Sequence, residues 1–487
     1  MAELRDLGPR YWKRTSTAHK RLVLLLIVAG TLLRGWMLFQ PLTADEATGF
    51  VRFATRSMYV VVSDMSHNSN HVLNTLLVKL VTSVFGVSNW SVRLPAFLAG
   101  VLLMPLYYLF VRSMFNRYIA LMALAMVAAS GGLIEYSALS RGFALAWLFM
   151  VAALMTGRYF LKEGGPVAAM VLAACAALGI WSVPTALYGM LMVYGWVLLS
   201  LLADREQAQG DRMLWWALSV VVALALALLL YAPVISVNGI DQLFHQGDHA
   251  ERSWDRFKLT HADATLDLWV YLSETSALWL TIPGLVGLLY AAFISSKFRR
   301  LAFALLITSV PVVMVLADVG QPRKWLFTLF IFHLSSAISL FYLLKFVQDK
   351  LYPAFEKRRR TAVACLALLL AFAWLGMPVI QDRVPRHRDL NALLDRVIPD
   401  LSPADRIYGD PVGDALAGFK LVARGFDPVV VVGPPGAGGT AYVVVDKRQE
   451  WTADQVLKFH LLEPEALTTP ELVGERNGSM IFAARFR

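Results

Sequence analysis

Charge is scarce in this chain. Asp, Glu, Lys and Arg make up 16% of its 487 residues, where soluble domains carry about 25%. With 57% apolar residues and a mean hydropathy of +0.56, that shortage excludes an ordinary water-soluble globule. Cysteine is nearly missing: only Cys175 and Cys365 occur, both inside apolar runs. A disulfide framework and a cysteine zinc cluster are therefore excluded, and the two thiols read as small buried apolar groups. The apolar–polar alternation of a membrane barrel strand is also lacking. A net charge of +10 invites nucleic acid as a partner. The basic residues form no stripe interleaved with aromatics, however, and nucleic acid is set aside.

What is present is a series of apolar runs of about 18 to 25 residues, the length that crosses roughly 30 Å of hydrocarbon. Backbone in lipid must satisfy its own hydrogen bonds, so these runs predict helices. Spans are expected near 22–40, 91–111, 118–136, 142–161, 166–182, 185–202, 214–234, 267–294, 301–317, 325–346 and 361–378. The first follows a basic leader ending in His19-Lys20-Arg21. It is too long for a signal peptide's apolar core and reads as an uncleaved span. Basic residues sort to one set of loops: Arg112 and Arg117, Arg158 and Lys162, Arg205 and Arg212, Lys297 with Arg299 and Arg300, and Lys357 to Arg360. That bias predicts a cytoplasmic amino terminus and a carboxyl-terminal tail outside.

Two outer loops are long. Residues 41–90 carry Ala47, Phe50, Val51, Ala54 and Met58 at helical spacing, with Arg52, Thr55 and Arg56 elsewhere on the wheel. This suits a helix lying in the membrane interface. A second amphipathic stretch runs from Val72 to Phe85, and residues 235–266 form the other large loop. The expected organisation is a transmembrane domain, 1–378, and a small α/β domain outside the membrane, 379–487. In the latter, β-rich runs at Val429–Val432, Tyr442–Val445 and Ser479–Phe486 alternate with helical stretches at Asn391–Ile398 and Asp454–Leu461. Gly433 to Thr440 nearly matches a phosphate-binding loop, but Gly439 stands where the lysine belongs. A connection between two strands is the better reading.

Asp45-Glu46 follows the first run directly. Adjacent helical residues point about 100° apart, so the two carboxylates are no proton-sharing dyad and divide their labour. Thr43 with Glu46 fits a capping box. Capping does not require Asp45, and a carboxylate at the membrane surface suits a general base. His67-Asn68-Ser69-Asn70-His71 is a polar cluster. On a helix, histidines at i and i+4 would share a face fit for a metal. No third ligand is evident, and a polar substrate-facing surface without metal is the simpler reading. Glu135-Tyr136 and Arg141 fall at the outer junction of the third and fourth spans, where charge faces a cavity or a partner. Pairing of Glu135 with Arg141 and contact with a substrate both fit. Gln321-Pro322-Arg323-Lys324-Trp325 places two cations in an outer connection, against the charge bias of the rest. The planar fork of Arg323 suits phosphate; interfacial anchoring by Lys324 and Trp325 is the plainer alternative.

Taken in order, these segments resemble the protein mannosyltransferase-like branch of the GT-C glycosyltransferases, which includes protein O-mannosyltransferases and the lipid A aminoarabinose transferase. The resemblance rests on Asp45-Glu46, on His71-Val72-Leu73-Asn74-Thr75-Leu76-Leu77 and on Phe85-Gly86-Val87-Ser88-Asn89-Trp90-Ser91-Val92-Arg93-Leu94-Pro95. It continues through Tyr136-Ser137-Ala138-Leu139-Ser140-Arg141-Gly142-Phe143-Ala144-Leu145 and Pro322-Arg323-Lys324-Trp325, covering residues 20–345 in order. It implies an all-α polytopic fold with about eleven spans, a polyprenyl-phosphate sugar donor and inverting transfer to a hydroxyl on the non-cytoplasmic face. Asp45 would be the base, Glu46 its support. Arg323, with Lys324 or Arg141, would neutralise the donor phosphate, and His67, Asn70, His71, Arg93, Glu135 and Tyr136 complete the implied binding set. Two departures stand out: the family often has Tyr where Lys324 stands, and a His-Pro-Pro run near His71, which here follows Ser69-Asn70. No cofactor is required, and a divalent cation is compatible with the chemistry without being demanded by it. The implied setting is a bacterial inner membrane, with a cell-envelope glycan, lipid or protein as acceptor and the tail periplasmic or extracellular. The rival reading is a flippase or transporter of lipid-linked sugars, which would need the cations but not Asp45 as a base.

Overall fold

The computed structural model describes residues 15–203, 209–244, 253–276, 281–351, 357–384, 386–426, 439–446, 450–462 and 467–485. The protein is a multi-pass helical membrane protein with a small sheet near its carboxyl terminus. Among the described residues eight helices are long and apolar enough to cross a membrane, or nine with one bent pair counted as a span. Pro166–Ser182 and Leu285–Ile294 are apolar but shorter. Residues 267–294, expected as one span, divide between the end of a Trp254–Ser276 helix and a Thr281–Ile294 helix. The reason is visible in the side chains: Asp263, Asp267 and Glu274 keep the first helix polar, and the apolar run gathers only beyond it.

The chain forms two compact units. The first comprises Met1–Met37, His71–Asn74 and Ala96–Gln381 and holds the helical bundle. At its centre lies Arg117–Ala129, opened by Asn116, whose Oδ1 accepts from the backbone N–H groups of Tyr118 and Ile119 at 2.9 and 3.0 Å. Every residue of this helix from Ile119 to Ala129 is buried. It breaks at Ser130, and Gly131–Ala138 departs at 56°. A break inside a bundle leaves carbonyls without helical partners. The buried Arg34 answers them, donating to Ala128 O at 2.8 Å and Val127 O at 3.1 Å, and to its own helix at Gly30 O. Gly30 lets the two backbones approach, since a Cβ there would lie 2.9 Å from that of Ala128.

The second unit comprises Leu38–Asn70, Thr75–Pro95 and Asp382–Arg487. Its sheet runs β1 (Arg406–Gly409), β2 (Thr440–Asp446), β4 (Ser479–Arg485), β3 (Glu471–Arg476). β1 and β2 are parallel, with the Pro411–Ala423 helix between them in sequence, and the other pairings are antiparallel. β3 and β4 meet at Asn477-Gly478, both at positive φ (44° and 88°), the backbone of a type I′ hairpin. β2, β4 and the helices Arg388–Val397 and Ala453–Phe459 fall where the sequence places them; β1 and β3 were not anticipated. Val429–Val432 and most of the glycine-rich segment that follows lie outside the described residues.

The 41–90 loop also departs from expectation. Its first helix, Ala44–Gly49, continues as a π turn through Phe50–Ala54 and stops, and Ser57 caps a separate Met58–Ser63 helix. Ala47, Phe50 and Ala54 are buried, not against lipid but in a core shared with Leu416 and Phe419 of the tail. The rings of Phe50 and Phe419 meet edge to face at 5.6 Å. Met58, expected on the same face, is exposed on the next helix. Val72–Phe85 is a helix with the expected bounds.

Candidate functional site

In the second unit Thr43 and Glu46 form the expected capping box, with Thr43 N–H donating to Glu46 Oε2 at 2.9 Å. The same carboxylate is gripped from the other side by Arg93: Nε donates to Oε1 and Nη2 to Oε2, each at 2.7 Å. Arg93 Nη1 donates to Gln40 O and Nη2 also to Pro41 O. Both charged side chains are wholly buried. Glu46 and Arg93 thus clamp the Gln40-Pro41 segment to the start of the Ala44–Gly49 helix. Asp45, beside Glu46 in that first turn, is exposed.

His67 is half-buried and bonds Ser69 Oγ through Nδ1 at 2.8 Å. Burial, then the charge of Arg52, holds its imidazole below the ordinary range. Asn70 is fully buried and donates to Val61 O and Asp64 O, drawing the loop in on itself. Residues 64–71 are turn and coil, so the histidines at 67 and 71 share no helix face. Among the described residues no three His, Cys, Asp or Glu side chains gather into a group that could hold a metal.

The remaining candidates lie in the first unit, around the outgoing end of the broken helix. Glu135 and Tyr136 sit on Gly131–Ala138, and Arg141 follows in the turn before Phe143–Glu163. Tyr136 OH lies 3.3 Å from Tyr271 OH, and its ring packs edge-on to Phe143 at 5.0 Å. Phe143 in turn meets the ring of His71 at 5.7 Å. Asn74, one turn on from His71, donates to Ser140 Oγ at 3.4 Å. Arg141 is buried, and burial together with the charge of Arg323 pushes its guanidinium down to about 9. It stays protonated at neutral pH, but its charge is costly there. Arg323 stands in the Pro322–Trp325 turn. That turn is held by Gly320 N–H donating to Asp318 Oδ1 at 2.8 Å and by Trp325 Nε1 donating to Val319 O at 2.8 Å. Arg323 also acts on His71, whose imidazole is driven down to about 3, mainly by burial.

Lys324 lines an apolar cavity of about 430 Å³. Its walls include Leu187, Leu191, Leu224, Leu228, Val312 and Val315. A smaller pocket, reaching Phe143 and Trp147, shares Thr185 and Lys324 with it. The structure therefore gathers the buried His71, Glu135, Tyr136 and Arg141 into one polar cluster, on which the half-buried Arg323 acts from its turn, with Lys324 at the neighbouring cavity. Tyr271 and Asn74 belong to the cluster too. Tyr271 sits in the polar helix that replaced the expected span, and only its place near the outer end of an apolar stretch hinted at it.

A family model of dolichyl-phosphate-mannose-protein mannosyltransferases matches residues 72–237. No curated protein sequence matches the chain. Among solved structures it is similar to ArnT from Cupriavidus metallidurans in the apo state, with 14% identity and a TM-score of 0.63, covering 96% of this chain and 98% of that one. The same ArnT bound to undecaprenyl phosphate gives 15% identity and a TM-score of 0.61, over 95% and 97%. The Archaeoglobus fulgidus oligosaccharyltransferase, in complex with Zn and sulfate, gives 15% identity and a TM-score of 0.52, over 95% and 72%. The sequence resemblance and the fold agree: this chain has the GT-C fold of the membrane glycosyltransferases and resembles their ArnT-like branch.

Proposed function

We propose that the protein is a membrane glycosyltransferase that takes a sugar from a polyprenyl-phosphate donor and passes it to an acceptor hydroxyl on the non-cytoplasmic face, with inversion. The observation that carries this reading is an apolar cavity with Lys324 in its wall, beside the turn that holds Arg323, whose charge reaches Arg141. Such an arrangement suits an amphiphile with one anionic head and a long hydrocarbon tail. The bound ArnT structure has a ligand of this chemistry.

In the reaction the acceptor oxygen bonds to the anomeric carbon. The bond from that carbon to the phosphate oxygen breaks, and its electron pair leaves with the phosphate. Asp45 takes the hydroxyl proton as general base. Arg323 and Arg141, with Lys324, stabilise the departing anion. Glu46 and Arg93 position Asp45 by fixing the turn it sits in, while His71, Glu135 and Tyr136 line the donor side and His67 and Asp64–Asn70 shape the loop. A phosphate is already a workable leaving group, so the step needs no nucleotide. The setting is a bacterial inner membrane with the tail outside, and the acceptor is a glycan, lipid or protein of the cell envelope. Purified protein given defined polyprenyl-phosphate sugars and envelope acceptors should form product, and the Asp45→Asn variant should not. Movement of the lipid-linked sugar between leaflets, unaffected by Asp45→Asn and without transfer, would favour a flippase instead.

A further inference from the structure

His71 is 6% exposed, and among the described residues neither of its ring nitrogens has a hydrogen-bond partner. Buried imidazoles ordinarily satisfy both nitrogens. Asn74, one helical turn on, also leaves its Oδ1 without a partner. The ring of His71 is held edge-on against Phe143, so it is placed rather than loose. A neutral imidazole presents one donor and one acceptor. Phosphate oxygens only accept, so a neutral ring beside a phosphate satisfies one nitrogen and leaves the other turned on an acceptor or on nothing.

We propose that His71 is a further phosphate-binding residue and that it enters the complex protonated, drawing a proton from solvent as the lipid phosphate is seated. This rests on the polyprenyl-phosphate reading given above. In the empty protein, burial and the charge of Arg323 keep the ring neutral. A phosphate monoester dianion cancels both effects: it sets two negative charges against Arg323 and turns a costly cation into a paired one. The titratable groups that face this cluster are Arg323 from the Pro322–Trp325 turn, Arg141, Glu135 and Tyr136 from the 131–141 stretch, and Tyr271 from the Trp254–Ser276 helix. Sugar transfer turns a phosphodiester with one negative charge into a monoester with two. The imidazolium therefore counters the charge that appears as the carbon–oxygen bond breaks, and its two N–H groups stay with the phosphate. Because the bound ring titrates above the free one, lipid phosphate affinity falls as pH rises through the bound-state value.

The test is calorimetric titration of a sugar-free polyprenyl phosphate into the full-length protein in nanodiscs, at pH 7.5 in two buffers of different ionisation enthalpy. The monoester, with its second pKa about 6, is a dianion there and could itself gain a proton on burial, so the His71→Asn comparison is what assigns the uptake to the ring. The wild type should take up about one proton per phosphate, the linkage signature of a group whose pKa rises on binding. His71→Asn should lose that uptake and bind about tenfold or more weakly, one charge-assisted hydrogen bond having gone. Glu135→Gln should keep the uptake. Wild-type binding with no proton taken up overturns the inference and leaves the donor reading standing, whatever becomes of the variants. Uptake that persists in His71→Asn and vanishes in Glu135→Gln moves the proton to the carboxylate and also overturns it. No binding by a wild type that also fails to transfer sugar overturns the donor reading itself.

Discussion

Asp45 and Glu46 are neighbours in the chain and opposites in circumstance. Glu46 is sealed in a bidentate pair with Arg93; Asp45 is exposed. Their substitutions should separate cleanly. Asp45→Asn should leave thermal unfolding in detergent unchanged and lower turnover by about 10² to 10⁴, the usual loss for a general base. Glu46→Gln should instead destabilise the fold by about 3 to 5 kcal/mol, because it leaves the Arg93 guanidinium buried without its counter-charge. A Glu46→Gln protein as stable as the wild type would remove the clamp from this account. At Arg323 the expected effect is on the donor: Arg323→Ala should weaken polyprenyl phosphate binding by about ten- to hundredfold, since a hydrogen bond to a charged group is worth about 1.5 to 3 kcal/mol. Arg323→Lys should recover part of it, charge without the planar fork. Equal affinity in wild type and Arg323→Ala would leave Arg141 as the anchor. Asp45 and Arg323 stand out in the sequence because each breaks a local rule, an acid that capping does not need and a cation against the charge bias of the loops. The bond from Arg93 to Glu46 spans 47 positions, and no local pattern reports a contact at that separation. Tyr271 was missed for the same reason.

At the scale of elements, composition told where helices are but not how they are cut. Among the described residues the long apolar runs are helical, yet the break at Ser130 depends on Arg34, a residue from another helix. The Asn477-Gly478 dipeptide is a hairpin signal that the sequence analysis did not use, and β3, Glu-Leu-Val-Gly-Glu-Arg, is an exposed edge strand without an apolar run to betray it. The turn that carries Arg141 rests on such a close contact. A Cβ on Gly142 would come within 2.1 Å of Ser182 O, a backbone atom that cannot swing aside. Gly142→Ala should therefore push the start of the Phe143–Glu163 helix away from Ser182 and carry Arg141 with it. The cost should be of the order of 1 to 3 kcal/mol in stability, as for other overpacked sites, together with weakened lipid phosphate binding. Ala173, buried in a neighbouring helix, offers a control: Ala173→Gly should destabilise by about 1 kcal/mol while leaving lipid phosphate affinity alone. Equal losses of affinity in the two variants would mean that general loosening, and not the displacement of Arg141, is responsible.

For the whole molecule, the decisive quantity is the number of crossings, and charge constrains it more tightly than length does. Lys20-Arg21 and Arg112 are separated by two helices that pass the length test, as are Arg117 and Arg158 if the bent pair crosses once, and Arg300 and Lys357. Lys162 and Arg212 are separated by Ala186–Ala203, which passes, and by Pro166–Ser182, which at 17 residues does not. Arg212 and Lys297 are separated by the Gln209–Asn238 helix and by a second whose described apolar stretch is only Leu285–Ile294. For all these basic residues to share the cytoplasmic face, both short helices must cross. A 17-residue helix rises about 25 Å at 1.5 Å per residue, enough for a thinned or locally pinched bilayer at modest cost. Reporter fusions at Glu163 and Arg212 should therefore both report the cytoplasm, one at Arg360 likewise, and one at Arg487 the outside. If Glu163 and Arg212 report opposite compartments, Pro166–Ser182 lies in the membrane without crossing it. Unless the other short helix restores the parity, the Pro322–Trp325 turn with Arg323 then faces the cytoplasm, and transfer on the outer face loses its phosphate anchor.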